Sequence, residues 1–344
     1  MKNIIMKAAP IKVSIIMPVY NAGPHFRPCI ESLVNQTIKE IEIIIVLDCP
    51  TDGTDKIAKE YAARDKRIIL ISNDQNIHIG LSRNRGLEFA NGEYIAFSDH
   101  DDVRELNMYE ELYNEAKKNE SDIVFSGFGY IRNDGIERCY YPDELQAEDR
   151  IFSLLIGFEN EAKEWAKFIR NGGIWNKIYK KSLINKYHIK FEDNRETTFE
   201  DLFFQIKCFY FASKVTCLNQ IYYYHIEDIN NTANSYNYYS YRLILNYLKK
   251  LKHFLIEHNI YKKYLYRYRT TVIYFTIASI QNELLHRKRS FLRMKIFRDL
   301  RNEEIIRDAF RAIPAEKANL NIKSNREFTR AKVLFFILAN SNKA

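Results

Sequence analysis

Short apolar runs alternate with helix-like patterns along the first 130 residues of the chain. The apolar runs are rich in β-branched residues and predict four buried strands, at Val13–Met17, Ile41–Leu47, Arg67–Ser72 and Tyr94–Ser98. The segments between them, where apolar residues recur at helical spacing, predict helices at Phe26–Gln36, Asp55–Arg64, Gly80–Ala90 and near Glu105–Lys117. Strands that alternate with helices in this way indicate an α/β fold with a mostly parallel, Rossmann-like sheet flanked by helices.

Polar clusters follow three of these predicted strands. Pro18–Asn21 form a predicted turn after the first strand, Asp48 follows the second, and Asp99–Asp102 follow the fourth. Parallel sheets bind ligands at the carboxyl ends of their strands, so we expect a site there. The chain has neither a G-x-G-x-x-G motif after the first strand nor a G-x-x-x-x-G-K-[ST] motif, which disfavours dinucleotide binding and P-loop chemistry.

Three carboxylates lie within four residues, at Asp99, Asp101 and Asp102. Like charges this close repel one another unless a cation lies among them. Hard ions such as Mg²⁺ bind one or two carboxylates and complete their shell with water and phosphate oxygens. The pattern therefore predicts a site for Mn²⁺ or Mg²⁺, although it also fits a solvated turn that starts the helix near residue 105.

Composition narrows the class of protein. The 344-residue chain is 46% hydrophobic and 28% charged, which excludes a wholly disordered or collagen-like protein. Five scattered cysteines without a C-x-x-C pair argue against a disulfide framework or a zinc ribbon and favour a reducing compartment. No stretch of about 20 apolar residues predicts a transmembrane helix, and no signal peptide is apparent. We expect a cytoplasmic protein, soluble or peripheral on the inner face of the cell membrane.

Basic residues concentrate in the last third of the chain. Residues 240–344 contain 23 of the 52 lysines and arginines but only 8 of the 44 acidic residues. Apolar residues recur at helical spacing from Tyr241 to Leu255, and a second basic cluster lies at 287–295. This basic tail fits helices packed on the main domain with a solvated face, a peripheral membrane surface, or nucleic-acid binding, although no nucleic-acid-binding module is recognisable.

Six motifs occur in order across about the first 235 residues. They are V-S-I-I-M-P-V-Y-N from Val13, I-I-I-V-L-D-C-P-T-D-G-T from Ile43, N-x-x-x-x-x-x-R-N-x-G from Asn76, G-E-Y-I-A-F-S-D-H-D-D from Gly92, W-N-K-I-Y from Trp175 and F-E-D-x-x-F from Phe199. In this order and spacing the motifs resemble those of the family 2 glycosyltransferases, inverting enzymes with the GT-A nucleotide-sugar fold.

The resemblance implies a GT-A domain at residues 1–235, with a nucleotide-sugar half at about 10–130 and an acceptor half at about 131–235, followed by a basic α-helical region at 236–344. It implies a metal-dependent, inverting enzyme of cell-surface polysaccharide biosynthesis. Such an enzyme moves a sugar from a nucleotide donor, by expectation UDP-linked, to a hydroxyl of a glycan or lipid-linked saccharide. The basic region would then contact the membrane, complete the acceptor site or form a homodimer, and no nucleic acid is expected as a partner.

The family's donor-site residues carry over by position. For the nucleotide, the resemblance implies Pro18 and Tyr20 against the uracil, Asp48 on the base N–H, Arg83 on the base or pyrophosphate, and Asp101 on the ribose. For the metal, it implies Asp99, Asp101 and Asp102. His225, which follows three tyrosines, is a further candidate ligand for the pyrophosphate or the metal. A histidine at a strand end is also commonly structural, so that alternative stays open for His225.

On the acceptor side, the resemblance implies Asp201, or in second place Glu200, as the general base that takes the proton of the attacking hydroxyl. Adjacent acids also fit an ordinary helix start, where negative charge is favourable. Trp175, Asn176 and Lys177 are implied to contact the acceptor, and the alternative for this trio is a core tryptophan beside a solvated lysine.

The chain departs from the family pattern at a few positions: Leu47, Cys49 and Pro50 around the first aspartate, Ile77 and His78 where glycines are common, and His100 inside the D-x-D element. Two other functions compete. A nucleotidyltransferase of similar fold is disfavoured, because Pro18–Asn21 stand where those enzymes have a Gly-rich loop. A non-catalytic protein that binds an anionic polymer through its basic helices is the other alternative.

Overall fold

The structure, a computed structural model, describes residues 9–141, 148–157, 173–226, 240–286, 296 and 298–312. Its strands are β1 Val13–Val19, β2 Ile41–Leu47, β3 Ile68–Ser72, β4 Tyr94–Phe97, β5 Val103–Arg104, β6 Ile123–Arg132, β7 Gly135–Cys139, β8 Lys177–Lys180 and β9 Val215–Ile226. Its α-helices are α1 Phe26–Val34, α2 Thr54–Arg64, α3 His78–Phe89, α4 Met108–Asn119, α5 Glu148–Ile156, α6 Lys181–Lys186, α7 Glu200–Phe211, α8 Tyr241–Glu257, α9 Leu265–His286 and α10 Glu304–Ala312. This mixed α/β architecture with a C-terminal helical region confirms the predicted fold class.

One sheet joins the strands in the order β3-β2-β1-β4-β8-β6-β9-β5, and β7 pairs with β6. The neighbours among β1 to β4 run parallel to one another. β8 enters antiparallel between β4 and β6, and β6 and β9 then pair in parallel. Strands from the first 100 residues and from residues 123–226 therefore form one continuous, mostly parallel sheet that is joined through β8.

β1 and β2 are buried along their whole length, as is typical of parallel strands that helices cover on both faces. The sequence predicted a turn from Pro18 onward, whereas β1 continues to Val19. The carbonyl of Ile16 accepts the backbone N–H of Ser98 just after β4, and the carbonyl of Pro18 points the same way, to His100 Nδ1 at 3.2 Å. Pro18 has no backbone N–H. This is tolerated because β4 ends before it reaches Pro18, so no carbonyl of β4 is left without a donor.

The R-N-x-G element lies on α3 and fixes this helix on two sides. A Cβ atom at Gly86 would lie only 2.4 Å from Cγ2 of Ile16, so the helix approaches β1 more closely than a larger residue would allow. On the other side, the Asn84 side chain donates to the carbonyl of Phe191 (2.9 Å) and accepts the Phe191 N–H (2.8 Å). The motif therefore positions α3 between the central sheet and the segment that leads to α7.

The described residues form two compact units. The first contains residues 9–141, 148–152, 173–194 and 200–226, and the second contains residues 153–157, 195–199 and those from 240 onward. Every residue that the sequence assigned to the site lies in the first unit. Within the second unit, α8 confirms the predicted helical stripe, because it buries Ile244, Leu245, Leu248, Leu251 and Leu255.

The second unit is held together by polar as well as apolar contacts. Arg269 on α9 donates two hydrogen bonds of 2.9 Å to the carboxylate of Asp308 on α10, and the Tyr268 hydroxyl donates to the carbonyl of Leu248. The basic cluster at 287–295 lies outside the described residues. Among the helices that are described, none is long and apolar enough to cross a membrane.

Candidate active site

The carboxyl ends of β1, β2 and β4 lie side by side at one edge of the sheet, because β1 pairs in register with both neighbours. Tyr20 and Asp48 follow β1 and β2 directly, and Asp99 lies two residues after β4. These residues therefore occupy neighbouring positions at the edge where parallel sheets bind their ligands. The Tyr20 side chain is 46% exposed, so its ring can meet a planar group.

Asp48 is buried, and the loop after β3 fixes its carboxylate. Its Oδ1 accepts hydrogen bonds from Asn73 Nδ2 and from the backbone N–H of Ile77, both at 2.8 Å. His78, the next residue, has a φ of 66°, a left-handed conformation that costs a non-glycine residue about 1–2 kcal/mol. Although Ile77 and His78 replace common glycines, this loop therefore still has one residue in the left-handed conformation. The loop fixes the orientation of Asp48 through the N–H of Ile77.

The acidic segment Asp99–Asp102 does not cap the following helix, because β5 intervenes and α4 begins at Met108. Burial and the charge of Asp102 raise the pKa of Asp101 to about 6, and Asp99 adds to this effect while His100 and His225 oppose it. A carboxyl group in such surroundings gains stability in its charged form when a cation binds nearby. The solvated-turn interpretation of this segment therefore explains less than the cation interpretation.

Asp102 is completely buried and accepts three hydrogen bonds. The donors are the Tyr223 hydroxyl at 2.7 Å, the backbone N–H of Ile226 at 2.9 Å, and Nδ1 of His225 at 3.1 Å. Burial by itself lowers the pKa of His225, but the hydrogen bond to Asp102 and the charges of the acidic segment outweigh it and raise the pKa to about 9. Because Nδ1 of His225 faces Asp102, Nε2 is the ring nitrogen left for another ligand.

These side chains suit a divalent cation that is shared with a substrate. In the part of the chain that the structure describes, no three His, Cys, Asp or Glu side chains form a metal cage by themselves. Divalent ions such as Mg²⁺ and Mn²⁺ bind enzymes mainly through one or two carboxylates and take their other ligands from water and phosphate. The crowded carboxylate of Asp101 fits such an ion, and Nε2 of His225 becomes a ligand when it releases its proton as the cation binds.

Arg83 connects the acidic segment to the start of α7. Its buried guanidinium donates to Oδ1 of Asp99 at 2.9 Å and to Oε1 of Glu200 at 3.0 Å. Two acidic elements that are far apart in the sequence are therefore neighbours in the fold. Binding of a base or pyrophosphate by Arg83 stays a prediction, since carboxylates occupy both of its terminal nitrogens here.

Glu200 and Asp201 both lie in the first turn of α7, where negative charge is favourable. Glu200 is buried, and burial together with the charge of Asp201 raises its pKa to about 7 against the opposing charge of Arg83. Asp201 is partly exposed, and its Oδ1 accepts the backbone N–H of Leu202 at 2.7 Å. Burial raises the pKa of Asp201 too, and Arg83 again opposes the shift. Since Arg83 holds Glu200, Asp201 is the more accessible of the two carboxylates.

The side chains of Trp175, Asn176 and Lys177 lie inside the first unit. Lys177 Nζ donates to the carbonyl of Gly173 at 2.8 Å and to Oδ1 of Asn176 at 2.6 Å, and burial lowers the pKa of Lys177 to about 7. The Asn176 side chain also donates to the carbonyl of Ser126. The interpretation of Lys177 as solvated is therefore wrong, and this placement does not support direct contact of Asn176 or Lys177 with an acceptor.

Three neighbours of the site were not singled out from the sequence. Tyr223 donates a hydrogen bond to Asp102, and Asn73 donates one to Asp48. Arg104 donates to the backbone carbonyl of Asp102 at 3.1 Å. Tyr223 could have been found, because it lies two residues before His225 on a strand and so shares its face. Asn73 also carries a signal, since it directly follows β3. Arg104 carries none, because its partner is a backbone group.

Comparison with known proteins identifies the family. The sequence profile of Glycosyl transferase family 2 matches residues 14–188, about half of the chain. The chain is 33% identical over 219 residues to the uncharacterized glycosyltransferase EpsJ of Bacillus subtilis, a match that covers 64% of this chain and 62% of EpsJ. It is 32% identical over 289 residues to the cholesterol galactosyltransferase of Borreliella burgdorferi, covering 80% of this chain and 79% of that protein.

Solved structures show the same fold. Residues 1–349 of TarS from Staphylococcus aureus match this structure with a TM-score of 0.63 at 18% sequence identity, over 95% of this chain and 89% of that one. TarS has also been solved with UDP-GlcNAc, and that structure matches with a TM-score of 0.60. The order of strand-end carboxylates, the fold and the relatives agree, and this chain therefore belongs to glycosyl transferase family 2 and is a glycosyltransferase.

Proposed function

We propose that this enzyme transfers a sugar from a UDP-linked donor to a hydroxyl group, with inversion at the anomeric carbon and with the help of a divalent cation. The observation that carries the proposal is the Arg83 bridge. It places the acidic segment at Asp99 beside the helix start that bears Glu200 and Asp201. The proposed site therefore combines carboxylates for a cation and diphosphate with a separate carboxylate for a proton.

The donor nucleotide would bind at the ends of β1 and β2. The exposed ring of Tyr20 offers a face for the uracil, beside Pro18. Asp48, held by Asn73 and Ile77, is placed to accept an N–H of the base. The complex of TarS with UDP-GlcNAc, a protein of the same fold, supports a UDP-sugar as the donor class.

Asp101 and His225 would hold the cation, and Asp99 and Asp102 would stabilise it through their charge. When bound, Mn²⁺ or Mg²⁺ supplies Lewis-acid stabilisation of the negative charge on the departing diphosphate. The chain's own contribution is Arg83, which binds Asp99 on one side and Glu200 on the other and so holds the two acidic elements beside each other.

Asp201 would act as the general base. The acceptor oxygen forms a bond to the anomeric carbon as the carbon–oxygen bond to the diphosphate breaks, and the hydroxyl proton passes to the Asp201 carboxylate. UDP leaves with the electron pair of the broken bond. Glu200 is unsuited to this role because Arg83 binds it. General base catalysis of this kind contributes roughly 10²–10⁴-fold to a rate.

We further propose that the acceptor is a glycan or lipid-linked saccharide of the cell surface, and that the basic region at 236–344 brings the enzyme to the inner face of the membrane or to a second copy. The excess of basic residues after position 240 supports attraction to anionic lipid. A relative named cholesterol galactosyltransferase supports a lipid as the acceptor class.

A panel of nucleotide sugars tests the proposal. Binding and slow hydrolysis of each donor are measured with Mn²⁺ and then with EDTA, for the wild type and for Asp102→Ala and Asp201→Asn. We expect one UDP-sugar to bind in the presence of Mn²⁺, Asp102→Ala to abolish this binding, and Asp201→Asn to keep binding but lose hydrolysis. Failure of every nucleotide sugar to bind would refute the proposal and favour the interpretation as a polymer-binding protein.

A further inference from the structure

An aromatic stack lies behind the cation site. The indole of Trp175 lies 4.3 Å from the ring of Tyr223 at an interplanar angle of 14°, and 6.1 Å from the imidazole of His225 at 4°. Tyr223 and His225 point to the same face of β9, because side chains alternate along a strand. Trp175 enters from the short helical turn before β8 and covers both rings.

The W-N-K-I-Y motif and the glycine before it hold this indole in place. A Cβ atom at Gly173 would lie 2.1 Å from Nε1 of Trp175, so only glycine leaves room for the ring in this position. Lys177 bonds the carbonyl of Gly173 and the side chain of Asn176, and thereby closes the turn around Trp175. These contacts explain why the motif is buried.

The polar edge of the stack fixes the orientation of Asp102. Its Oδ2 accepts the Tyr223 hydroxyl, its Oδ1 accepts the Ile226 N–H, and the carboxylate also receives Nδ1 of His225. The guanidinium of Arg104 lies 5.4 Å from the centre of the Tyr223 ring and donates to the backbone carbonyl of Asp102. These three hydrogen bonds hold the carboxylate of Asp102 in place, and Asp102 holds the imidazole with Nε2 pointing away from it.

We propose that Tyr223 and Trp175 are positioning residues for the cation. The Tyr223 hydroxyl fixes the carboxylate that orients His225, and the Trp175 ring fixes the plane of the imidazole. This inference rests on the proposed cation site and adds residues that would not contact the cation themselves. Partners that orient a metal ligand typically change metal affinity 10- to 100-fold when they are removed.

The first test removes one oxygen atom. Tyr223→Phe keeps the ring in the stack and deletes the bond to Asp102. Mn²⁺ affinity is measured from the electron paramagnetic resonance signal of free Mn²⁺, in protein saturated with UDP. We expect the dissociation constant of Mn²⁺ to rise at least 10-fold. The matched control is Tyr94→Phe, since Tyr94 is also buried and its hydroxyl also donates one hydrogen bond, to the carbonyl of Ser121 (2.8 Å). This control should bind Mn²⁺ like the wild type.

The second test uses tryptophan emission and needs no catalysis. The chain has two tryptophans, so Trp165→Phe leaves Trp175 as the only indole. Paramagnetic Mn²⁺ held by His225 should quench the emission of Trp175, and Mg²⁺ should compete with this effect. Two further variants keep Trp165. Trp175→Phe should retain most of the Mn²⁺ affinity because phenylalanine also has a flat ring, whereas Trp175→Leu should lower the Mn²⁺ affinity at least 10-fold.

The outcomes separate this inference from the proposed function. Wild-type Mn²⁺ affinity in Tyr223→Phe would overturn the inference while leaving the cation site in place. If Tyr223→Phe does not fold, equal Mn²⁺ affinities of Trp175→Phe and Trp175→Leu, or an absence of quenching, would overturn it. A wild type that binds UDP but no Mn²⁺ would refute the proposed cation dependence itself, and the inference with it.

Discussion

Lys177 makes the stability of this protein depend on pH in a way that can be calculated. The residue is only 3% exposed, and burial lowers the pKa of its amine from 10.5 to about 7. In the unfolded chain the amine takes up its proton below pH 10.5, whereas in the folded protein it does so only below about pH 7. Folding therefore carries a penalty that grows as the pH falls from 10.5 to 7 and is complete below 7. At about 1.4 kcal/mol per pH unit this penalty approaches 5 kcal/mol at most.

Lys177→Met removes the titrating amine and keeps the length of the side chain. The variant also loses the bonds to Gly173 and Asn176, and this loss lowers its stability at every pH. The pH-dependent part follows from the lowered pKa alone. Between pH 9 and pH 6 the wild type should lose about 3 kcal/mol of unfolding free energy relative to the variant. Urea unfolding followed by the fluorescence of the neighbouring Trp175 measures this difference at each pH.

The control is Lys118→Met on α4, where the side chain is 73% exposed. It makes the same chemical change without burial, so its stability relative to the wild type should hardly vary between pH 6 and pH 9. Parallel pH profiles for the wild type and Lys177→Met would refute the reasoning, because they would mean that the amine of Lys177 is not held in a poorly hydrated position.

Three further predictions concern the site and its scaffold. Asp201→Asn should lower the turnover number by roughly 10²–10⁴-fold while the dissociation constant of the donor, measured by calorimetry, stays within about twofold. Asp101→Asn should stabilise the protein in EDTA, because a folded pKa of about 6 lies above the unfolded value of 3.8 and the charged carboxylate therefore carries a penalty that begins above pH 3.8 and is complete above pH 6. The gain in urea unfolding should be about 3 kcal/mol at pH 8 and roughly half of that at pH 5, and equal gains would contradict the assignment. Gly86→Ala should cost about 1–3 kcal/mol in the same assay, because its Cβ would meet Ile16, and Ile16→Ala in the same chain should relieve part of this cost.

The elements of the first 100 residues could be predicted because their signals are local. Ile41–Leu47 is an apolar run, interrupted only by Glu42, between Glu40 and Asp48, and β2 has these bounds. The end of β1 could not be predicted, because the effect of Pro18 depends on where β4 stops. The sheet order beyond β4 is also a non-local property. β8 pairs with β4 and β6, which are far from it in sequence, and no local pattern specifies that register.

The site residues could be predicted where a polar residue or cluster comes directly after a strand. Asp48 and the acidic segment at Asp99 lie at the carboxyl ends of β2 and β4, as the sequence predicted. The partners of these groups were less predictable, because they come from other elements. The sequence assigned Arg83 to the nucleotide, which stays a prediction, and did not reveal that the fold places this residue between two carboxylates. It assigned Trp175 to the acceptor, whereas the fold stacks it on Tyr223. In both cases the residue type indicated that the residue belongs near the site, but the sequence did not indicate which residue it contacts.

The stereochemistry of donor hydrolysis tests the central claim most directly. Proton NMR spectra recorded in the first minutes of hydrolysis show which anomer of the sugar the enzyme releases from an α-linked UDP-sugar. A single displacement with Asp201 as the base predicts the β-anomer, formed only with Mn²⁺ present and not by Asp201→Asn. Release of the α-anomer, or an equal rate in Asp201→Asn, would contradict the account.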